Sequence, residues 1–262
     1  YIVKNKKKNK KMISTIIREL SLKLDTPFHN KLVDKYTVRE YIKSKKTLFK
    51  IPKLYAHYST KDELDEVNMY KYPNNFVYKC NNGSGMNLII KDRKMYNNDQ
   101  AITNDYLKRK GMEWLNSEFW KQHNEVQYKN IKNKVLVEEL LLCKDGKVPS
   151  DIKMFMFHGR CHFIMVIFDR FKKQKVNIYT RDCNLSNYKS KYYDKKDIYY
   201  TIPDIKLLVK EAEKLAKGID MVRIDIYDVD GEYYFGEFTF TPWGGNRILD
   251  SENAEIEWGS LI

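Results

Sequence analysis

The stretch MVRIDIYDVDGEYYFGEFTF, residues 221–240, decides the fold expected for this chain. Apolar and polar residues alternate on both sides of Asp230-Gly231, and such alternation around an Asp-Gly pair predicts two antiparallel strands joined by a tight turn. Side chains in a strand point alternately to its two faces. Arg223 and Asp225 therefore share one face of the first strand, opposite the apolar residues that are expected to face the core.

The second strand of this hairpin carries Glu237 and Thr239 on one face. In the register that places Glu237 opposite Arg223, the carboxylates of Glu237 and Asp225 are cross-strand diagonal neighbours. Two carboxylates and a hydroxyl are hard oxygen ligands that suit Mg²⁺ bound to phosphates. A two-residue turn would instead put the carboxylates on opposite faces, so this hypothesis requires a three-residue loop or a β-bulge. The alternative is an exposed sheet face with a solvated Asp and Glu.

A second feature is NFVYKCNNGSGMN, residues 75–87, in which Lys79 ends a predicted strand before a glycine-rich loop. Backbone N–H groups of such a loop can cradle a phosphate, with the lysine ammonium nearby. The loop lacks the spacing of a P-loop and of a dinucleotide-binding fingerprint. An ordinary glycine hairpin is the alternative interpretation.

A third feature is VLVEELLLCKDGKVPSDIKMFMFHG, residues 135–159. Glu138 and Glu139 end an apolar strand, and Asp151 and Lys153 share a face of the next strand. Polar groups at strand ends beside apolar walls can form a slot for adenine, although the spacing alone does not require one.

The composition excludes several classes of protein. The 262 residues are 42% hydrophobic and 14% aromatic, which excludes a disordered chain. No apolar run approaches the roughly eighteen residues of a membrane span. No apolar run with a small-residue cleavage site follows the basic N-terminus, so a signal peptide is not expected. The net charge is +13, and residues 1–12 hold six lysines and no acid. This run predicts a solvated tail or, alternatively, a segment that binds nucleic acid or an anionic surface. The four cysteines form no CxxC pair, which favours free thiols in a reducing compartment.

The remaining pattern predicts an α+β protein with antiparallel sheets. Helices are expected over 13–50, including a separate helix at 35–45, and over 99–121 and 204–217. Strands are expected over 75–80, 88–91, 135–142, 152–157, 161–168, 221–227 and 232–240.

Taken together and in this order, these segments resemble the TupA-like ATP-grasp family, named for teichuronopeptide synthesis and found with polysaccharide-building enzymes. The matching stretches cover most of residues 30–260. They are DKYTVREYI (34–42), NFVYKCNNGSGMNLIIKD (75–92), EVQYKNIKNKVLVEELL (125–141), DIKMFMFHGRCHFI (151–164) and VRIDIYDVDGEYYFGEFTFTPWGG (222–245).

This resemblance implies an ATP-grasp fold, in which two α+β subdomains with antiparallel sheets grip ATP. The N-terminal region is expected to be helical and short or truncated, because only about thirty residues precede Asp34. The expected parts are a basic tail (1–12), a helical N-terminal region (13–72), an N-lobe with the glycine loop (73–136) and a C-lobe with the metal site (137–262).

The resemblance also implies roles for residues around the nucleotide. Lys35 and Lys79 are similar to the two nucleotide lysines, the second of which lies near the α- and β-phosphates. The loop that closes over the phosphates corresponds to Gly83, Ser84 and Gly85. The adenine hinge corresponds to Glu138 with the backbone of Glu139 and Leu141, and Asp151 is similar to the acid that holds the ribose.

At the reacting phosphate, Lys153 and Arg170 resemble the cations near the γ-phosphate, and Arg223 resembles the arginine that stabilises the transition state. Asp225 and Glu237 are similar to the metal carboxylates. Many ATP-grasp proteins carry Asn two residues after the second carboxylate. The residue here is Thr239, as in the TupA-like branch, and it is expected to complete the metal site.

The function implied is that of a cytoplasmic, ATP- and Mg²⁺-dependent carboxylate–amine ligase that works through an acyl-phosphate. Its expected substrates are a small-molecule or glycan carboxylate and an amine. Glycosyltransferase domains or enzymes of the same polysaccharide pathway are the expected partners. One alternative is an ATP-grasp kinase acting on a hydroxyl. Another is a basic nucleic-acid-binding module, for which no RNP, helix-turn-helix or zinc-finger signature is present.

Overall fold

A computed structural model describes residues 11–169, 173–197, 202 and 204–262. The chain forms two compact units. Unit 1 consists of the segments up to Lys23, Ser150–Asp225 and Phe238–Ile262, whereas unit 2 consists of Leu24–Pro149 and Ile226–Glu237. The two units are therefore interleaved along the chain. The domain bounds expected from the sequence stay predictions.

The described residues contain helices and strands in a mixed order. The helices are α1 Ile13–Ser21, α2 Pro27–Val33, α3 Val38–Ser44, α4 Lys61–Asp65, α5 Asn104–Leu115, α6 Phe119–His123, α7 Ile205–Ala216 and α8 Glu252–Gly259. The strands are β1 Leu54–Tyr58, β2 Phe76–Cys80, β3 Asn87–Lys91, β4 Lys94–Met95, β5 Val135–Glu139, β6 Ser150–Phe157, β7 Arg160–Phe168, β8 Lys175–Thr180, β9 Met221–Val229 and β10 Glu232–Thr239.

The sheet of unit 2 has the strand order β1-β5-β2-β3-β4, and its neighbouring strands are antiparallel. Alternate residues of β2 are buried, and Lys79 projects from the less buried face. β5 pairs with β2 so that Glu138 lies opposite Val77. Lys79 is two residues beyond Val77, so its side chain and that of Glu138 are diagonal neighbours on one face of the sheet.

Helix α5 covers the other face of this sheet. The Tyr78 hydroxyl donates a hydrogen bond to the Leu107 carbonyl over 3.0 Å, and both side chains are fully buried. Gly111 permits the close approach, because a Cβ there would lie 2.5 Å from the Tyr78 hydroxyl. The packing holds β2, and with it Lys79, in a fixed position.

The glycine-rich segment is the connection between β2 and β3. Gly83 and Gly85 have φ values of 71° and 77°, which L-residues with a Cβ rarely adopt. Gly83 has a second constraint, since a Cβ there would lie 2.5 Å from the ring of Phe119 in α6. The loop therefore packs against the Phe119 side chain. Glycine is required at position 83 because of its positive φ and because a Cβ would clash with that ring.

The second sheet has the strand order β10-β9-β6-β7-β8, and unit 1 contains its strands β6, β7 and β8. Trp258 of α8 is fully buried, and its ring stacks on Phe163 of β7 with centroids 4.1 Å apart. Phe155 of β6 meets the same indole edge-on at 5.0 Å. This aromatic core fixes β6, which carries Asp151 and Lys153.

A buried carboxylate ties three segments of unit 1 together. Glu255 of α8 accepts hydrogen bonds from the backbone N–H groups of Ile248 (2.7 Å), Leu249 (2.9 Å) and Ser14 (3.2 Å). Its charge is satisfied by backbone donors, as a buried carboxylate requires.

The hairpin of β9 and β10 has a two-residue turn, not a three-residue loop. Asp230 and Gly231 both have positive φ, 52° and 89°, which is the conformation of a type I′ turn. Continued without interruption, this turn would pair Arg223 with Phe238 and put Thr239 on the opposite face.

The structure departs from that simple register. Arg223 Nη2 donates a hydrogen bond to Thr239 Oγ1 over 3.0 Å, so these two side chains lie on the same face. The buried residues of β10 are first Tyr233 and Phe235, two positions apart, and then Phe238, three positions further on. The alternation between the two faces of the strand is therefore shifted by one residue. The two observations indicate a β-bulge in β10, the feature that the metal hypothesis required.

The predicted α+β class with antiparallel sheets is confirmed. The helical stretch predicted over 13–50 contains three short helices, because the chain turns before Pro27 and again after Val33, and α3 lies within the separate helix predicted over 35–45. The helix predicted over 99–121 is likewise divided into α5 and α6. The prediction missed β1, α4, β4, β8 and α8. Among the helices that the structure describes, none has the length and apolar character needed to cross a membrane.

Candidate functional site

Two basic side chains converge on one buried carboxylate in unit 2. Glu138 is 3% exposed, and its Oε2 lies 2.5 Å from Lys79 Nζ while its Oε1 lies 3.2 Å from Arg39 Nη1. Arg39 also donates to the carbonyl of Pro52. Buried charges require partners of opposite sign, and this group carries one negative and two positive charges. It therefore retains a net positive charge that favours an anion.

These side chains border a small recess with a cavity volume of about 40 Å³. Its walls combine the charged group with apolar and aromatic side chains, all within unit 2. The lining residues are Lys35, Val38, Arg39, Ile51, Pro52, Lys79, Glu138, Tyr227, Phe235 and Gly236. Apolar walls with a few fixed polar groups are common in ligand sites, and a volume of about 40 Å³ accommodates part of a ligand. The lysines and the arginine make the recess suitable for a ligand that also carries negative charge.

Lys35 connects this recess to the glycine-rich loop. Its ammonium donates a hydrogen bond to the Gly83 carbonyl over 2.6 Å and lies 4.0 Å from Glu237 Oε2. Its backbone N–H donates to the Asn81 carbonyl over 3.0 Å. The loop predicted to hold phosphates and the first predicted nucleotide lysine are thus brought together, and Ser84 lies exposed at the tip of the loop.

Other predicted nucleotide residues have additional structural roles. Glu139 Oε2 accepts the backbone N–H of Lys53 over 3.0 Å, and the Glu139 N–H donates to the Lys53 carbonyl over 2.8 Å. This double contact fixes the end of β5. Leu141 is buried just beyond it. Both the carboxylate and the backbone N–H of Glu139 are therefore engaged with Lys53.

A second charged group lies in unit 1 on β6 and β9. Arg223 Nε donates to Asp225 Oδ1 over 2.6 Å, and Arg223 Nη2 donates to Asp225 Oδ2 over 2.7 Å. Lys153 Nζ also donates to Asp225 Oδ2 and lies 2.8 Å from Asp151 Oδ2. Asp225 is 2% exposed, and Asp151 and Arg223 are also buried. Two carboxylates and two cations that were predicted separately are therefore one network.

This network controls the ionisation of Asp225. Burial alone would raise the pKa of the Asp225 carboxyl, but the neighbouring Arg223 and Lys153 charges and their hydrogen bonds hold that pKa below its ordinary value. The carboxylate is consequently ionised at neutral pH, which is the form that binds a cation.

The predicted metal ligands are distributed over both units. Asp225 and Thr239 belong to unit 1, whereas Glu237 belongs to unit 2. Within residues 11–169, 173–197, 202 and 204–262, the side chains of His, Cys, Asp and Glu form no group of three that could hold a metal ion. The ion therefore remains an inference from the donor chemistry. The predicted cation Arg170 falls outside the described residues.

Sequence reasoning missed one side chain at these sites, Arg39, and one contact, that of Trp243 with Arg223. Arg39 follows Lys35 by one helical turn within the stretch DKYTVREYI, and that spacing was a usable signal. Trp243 lies with its ring centroid 5.6 Å from the Arg223 guanidinium carbon. No local pattern indicated this contact, because it depends on how the chain turns after β10.

Comparison with solved structures gives distant resemblances to ligases. The ATP-grasp ligase PsnB complexed with minimal precursor, Mg and ADP is 12% identical over 87% of this chain and 58% of that chain, with a TM-score of 0.44. D-Alanine–D-alanine ligase from Bacillus anthracis complexed with ATP is 13% identical over 88% of this chain and 65% of that chain, with a TM-score of 0.45. D-Alanine–D-alanine ligase from Helicobacter pylori is 14% identical over 88% and 58% of the two chains, with a TM-score of 0.48. The chain thus spans less than two thirds of the length of each of these proteins.

A search of curated proteins found no match. The family model described as TupA-like ATPgrasp, by contrast, matches residues 4–261. This match covers nearly the whole chain and confirms the predicted ATP-grasp fold. The chain therefore belongs to the TupA-like ATP-grasp family.

Proposed function

We propose that the protein is an ATP- and Mg²⁺-dependent carboxylate–amine ligase that acts in the biosynthesis or modification of a glycan. The observation that carries this proposal is the recess of unit 2, where Lys35, Lys79 and Arg39 surround the buried Glu138 beside apolar walls. A nucleoside triphosphate has the matching chemistry, with a flat base at one end and several negative charges at the other.

The nucleotide would be bound mainly by backbone and lysine donors. Lys79 and Lys35 would contact the phosphates, with Gly83, Ser84 and Gly85 closing over them through backbone N–H groups. Glu138 and the backbone of Glu139 and Leu141 would hold the adenine edge, and Asp151 would hold the ribose. The contact between Lys35 and the Gly83 carbonyl supports this assignment, because it already links a lysine to the loop.

Asp225, Glu237 and Thr239 would hold Mg²⁺. The chemistry of the donors fits, since Asp225 is held ionised and Glu237 is partly exposed to solvent. A bound Mg²⁺ would offset charge on the β- and γ-phosphates. Lys153, Arg170 and Arg223 would add fixed positive charge near the transferred group. Asp225 already holds the side chains of Lys153 and Arg223 in place.

The proposed reaction has two steps. A carboxylate oxygen of the acceptor attacks the γ-phosphorus, the bond to the β-bridging oxygen breaks, and ADP leaves with an acyl-phosphate remaining. The nitrogen of an amine then attacks the acyl carbon, phosphate leaves, and the amine loses a proton as the amide forms. Lys153 and Arg223 would bind the phosphoryl oxygens during the first step.

The acceptor would be an acidic sugar, a glycan unit or an amino acid. A cytoplasmic location would supply ATP, and enzymes or glycosyltransferase domains of the same pathway would be its partners. The family to which the chain belongs supports this part of the proposal, and the positive charge of the recess is compatible with acidic substrates.

The test is an assay with ATP, Mg²⁺ and a panel of carboxylates and amines, each offered alone and together. A ligase releases phosphate only when both co-substrates are present and forms an amide that mass spectrometry detects. Phosphate transfer to a hydroxyl without an amine would show the kinase alternative instead. Glu237→Gln should lower turnover by about 10²-fold or more, whereas Glu232→Gln, at an exposed ion pair with Lys50, should not. Full turnover in Glu237→Gln would overturn the metal assignment.

A further inference from the structure

The turn that follows β10 holds a tryptophan in an unusual backbone conformation. Trp243, Gly244 and Gly245 have φ values of 53°, 61° and 74° in succession. The two glycines adopt this left-handed region freely, but a bulky residue does so only when its surroundings hold it there. The conformation at Trp243 is therefore imposed by the fold, and such positions concentrate at functional sites.

Two residues hold this turn in place. Asn246 donates two hydrogen bonds to the Trp243 carbonyl, from its backbone N–H at 3.0 Å and from Nδ2 at 2.9 Å. Arg18 of α1 donates to the Gly245 carbonyl over 2.6 Å, and its side chain packs so closely that a Cβ at Gly245 would lie 2.7 Å from Arg18 Cγ. The turn is thus anchored on both sides of the tryptophan.

The anchored turn aims the indole at Arg223. The ring plane of Trp243 is 10° from that of Phe155, with centroids 6.4 Å apart. The Arg223 guanidinium carbon lies 5.6 Å from the indole centroid, within the range of a cation–π interaction. Asp225 and Thr239 accept hydrogen bonds from the edge of the guanidinium. The indole, by contrast, contacts the guanidinium through its ring.

We propose that Trp243 is a positioning residue for Arg223, which orients the guanidinium toward the transferred phosphoryl group. This inference rests on the proposed function, in which Arg223 stabilises the transition state. In that function Asp225 and Thr239 also serve the metal ion, so their hydrogen bonds to Arg223 compete with ion binding. The indole offers no ligand atom to a metal and keeps its contact with Arg223 regardless.

Three variants separate the aromatic contact from packing and backbone effects. Trp243→Phe keeps a π-face, Trp243→Leu keeps apolar volume without one, and Trp243→Gly removes the side chain at a backbone conformation that glycine adopts without strain. Turnover should fall about tenfold in the Leu and Gly variants and less than threefold in the Phe variant, with the KM for ATP nearly unchanged. Trp120→Leu is the control, since Trp120 also carries lysine ammoniums over its ring but lies outside the candidate site. Near-normal turnover in Trp243→Gly, or an equal loss in Trp243→Phe, would overturn the proposal.

A double-variant cycle distinguishes positioning from a general structural role. If Trp243 acts through Arg223, the Trp243→Leu substitution should change turnover by less than twofold when Arg223 is already alanine. If the fold-loss of turnover in the double variant equals the product of the losses in the two single variants, Trp243 acts independently of Arg223.

A measurement without substrates separates this inference from the proposed function. In ¹⁵N-labelled protein, the Arg223 Nε–H signal should be sharp and slow to exchange in the wild type and in Trp243→Phe, and broadened or lost in Trp243→Leu. An unchanged signal in Trp243→Leu would overturn the positioning role even if the chain proved to be an active ligase. A lost signal in a chain without ligase activity would refute the proposed function alone.

Discussion

Arg223 binds Asp225 through two parallel hydrogen bonds, from Nε to Oδ1 at 2.6 Å and from Nη2 to Oδ2 at 2.7 Å. The two residues are separated by one position on β9, so the alternation of a strand puts both side chains on the same face. Lys153 binds the same carboxylate from β6. One buried carboxylate therefore binds two cations, Arg223 and Lys153.

Asp225→Asn should destabilise the fold and abolish activity. The amide removes the carboxylate that Arg223 and Lys153 share, although Lys153 keeps its contact with Asp151, and breaking a buried ion pair from one side costs about 3–5 kcal/mol. Urea unfolding should show this loss, while Asp145→Asn, at an exposed pair with Lys147, should change the free energy of unfolding by less than about 0.5 kcal/mol. An Asp225→Asn protein as stable as the wild type would show that the network carries little stability.

Lys79→Met should weaken nucleotide binding more than it affects stability. The substitution removes one of the two cations at Glu138 but leaves Arg39 at 3.2 Å, so the carboxylate keeps a partner. If the recess binds phosphates, loss of one charge-assisted contact of about 1.5–3 kcal/mol should raise the dissociation constant for ATP by about 10- to 10²-fold. Calorimetric titration would measure it, with Lys94→Met at an exposed pair as the control. Equal ATP affinity in the two variants would remove Lys79 from the nucleotide site.

Gly83→Ala should disturb the glycine-rich loop more than Gly85→Ala. Both positions have positive φ, but only at Gly83 would the new Cβ meet the Phe119 ring, at 2.5 Å, whereas nothing lies within 4 Å at Gly85. Conformational strain alone costs about 1 kcal/mol, and overpacking adds about 1–3 kcal/mol. Thermal unfolding should rank the two variants in that order. Adding Phe119→Leu to Gly83→Ala should recover part of the overpacking cost, and an equal effect of the two alanines would contradict the contact.

The sequence predicted the network on β9 well because strand alternation is a local property. It placed Arg223 and Asp225 on one face, and their mutual hydrogen bonds bear this out. It could not predict the β-bulge in β10, since Asp230-Gly231 specifies the turn but not the register six residues later. The bulge is indicated by the hydrogen bond between Arg223 and Thr239 and by the burial pattern along β10.

Short helices and strands were not predicted for a related reason. Strand β8, KVNIYT, has a buried Asn177 between Val176 and Ile178, which masks its apolar character, and α8 has eight residues with little amphipathic pattern. Both are stabilised by tertiary contacts that sequence periodicity does not contain. Arg39 was missed similarly, because its partner Glu138 lies 99 positions away in the chain.

The free energy of unfolding should depend on pH through the buried Asp34 carboxyl. Burial raises the pKa of the Asp34 carboxyl above its ordinary value of 3.8, against hydrogen bonds from Tyr36 and Asn81 that lower it. A raised pKa means that the folded state binds the proton more tightly than the unfolded state does. The contribution of Asp34 to stability is therefore greatest below pH 3.8 and decreases as the pH rises through the folded-state pKa.

The variant Asp34→Asn cannot titrate and isolates this effect. The free energy of unfolding of the wild type minus that of the variant should decrease as the pH is raised from about 3.5 toward 7, because other groups cancel in the difference. Urea titrations at several pH values would measure it. A difference that increases with pH would mean that the hydrogen bonds from Tyr36 and Asn81 outweigh burial.

Glu255→Gln should destabilise unit 1 although the side chain keeps its size. Glu255 Oε1 accepts the N–H groups of Ile248 and Leu249, and Oε2 accepts that of Ser14. A glutamine can present only one oxygen, so its NH₂ must face at least one backbone N–H, and the charge that strengthened all three bonds is lost. An unsatisfied buried donor costs about 1–3 kcal/mol. Glu252→Gln, at an exposed position in the same first turn of α8, is the matched control. Hydrogen exchange should show faster opening at Ile248 and Leu249 in the Glu255 variant alone, and equal exchange in both variants would show that the buried carboxylate does not hold these segments together.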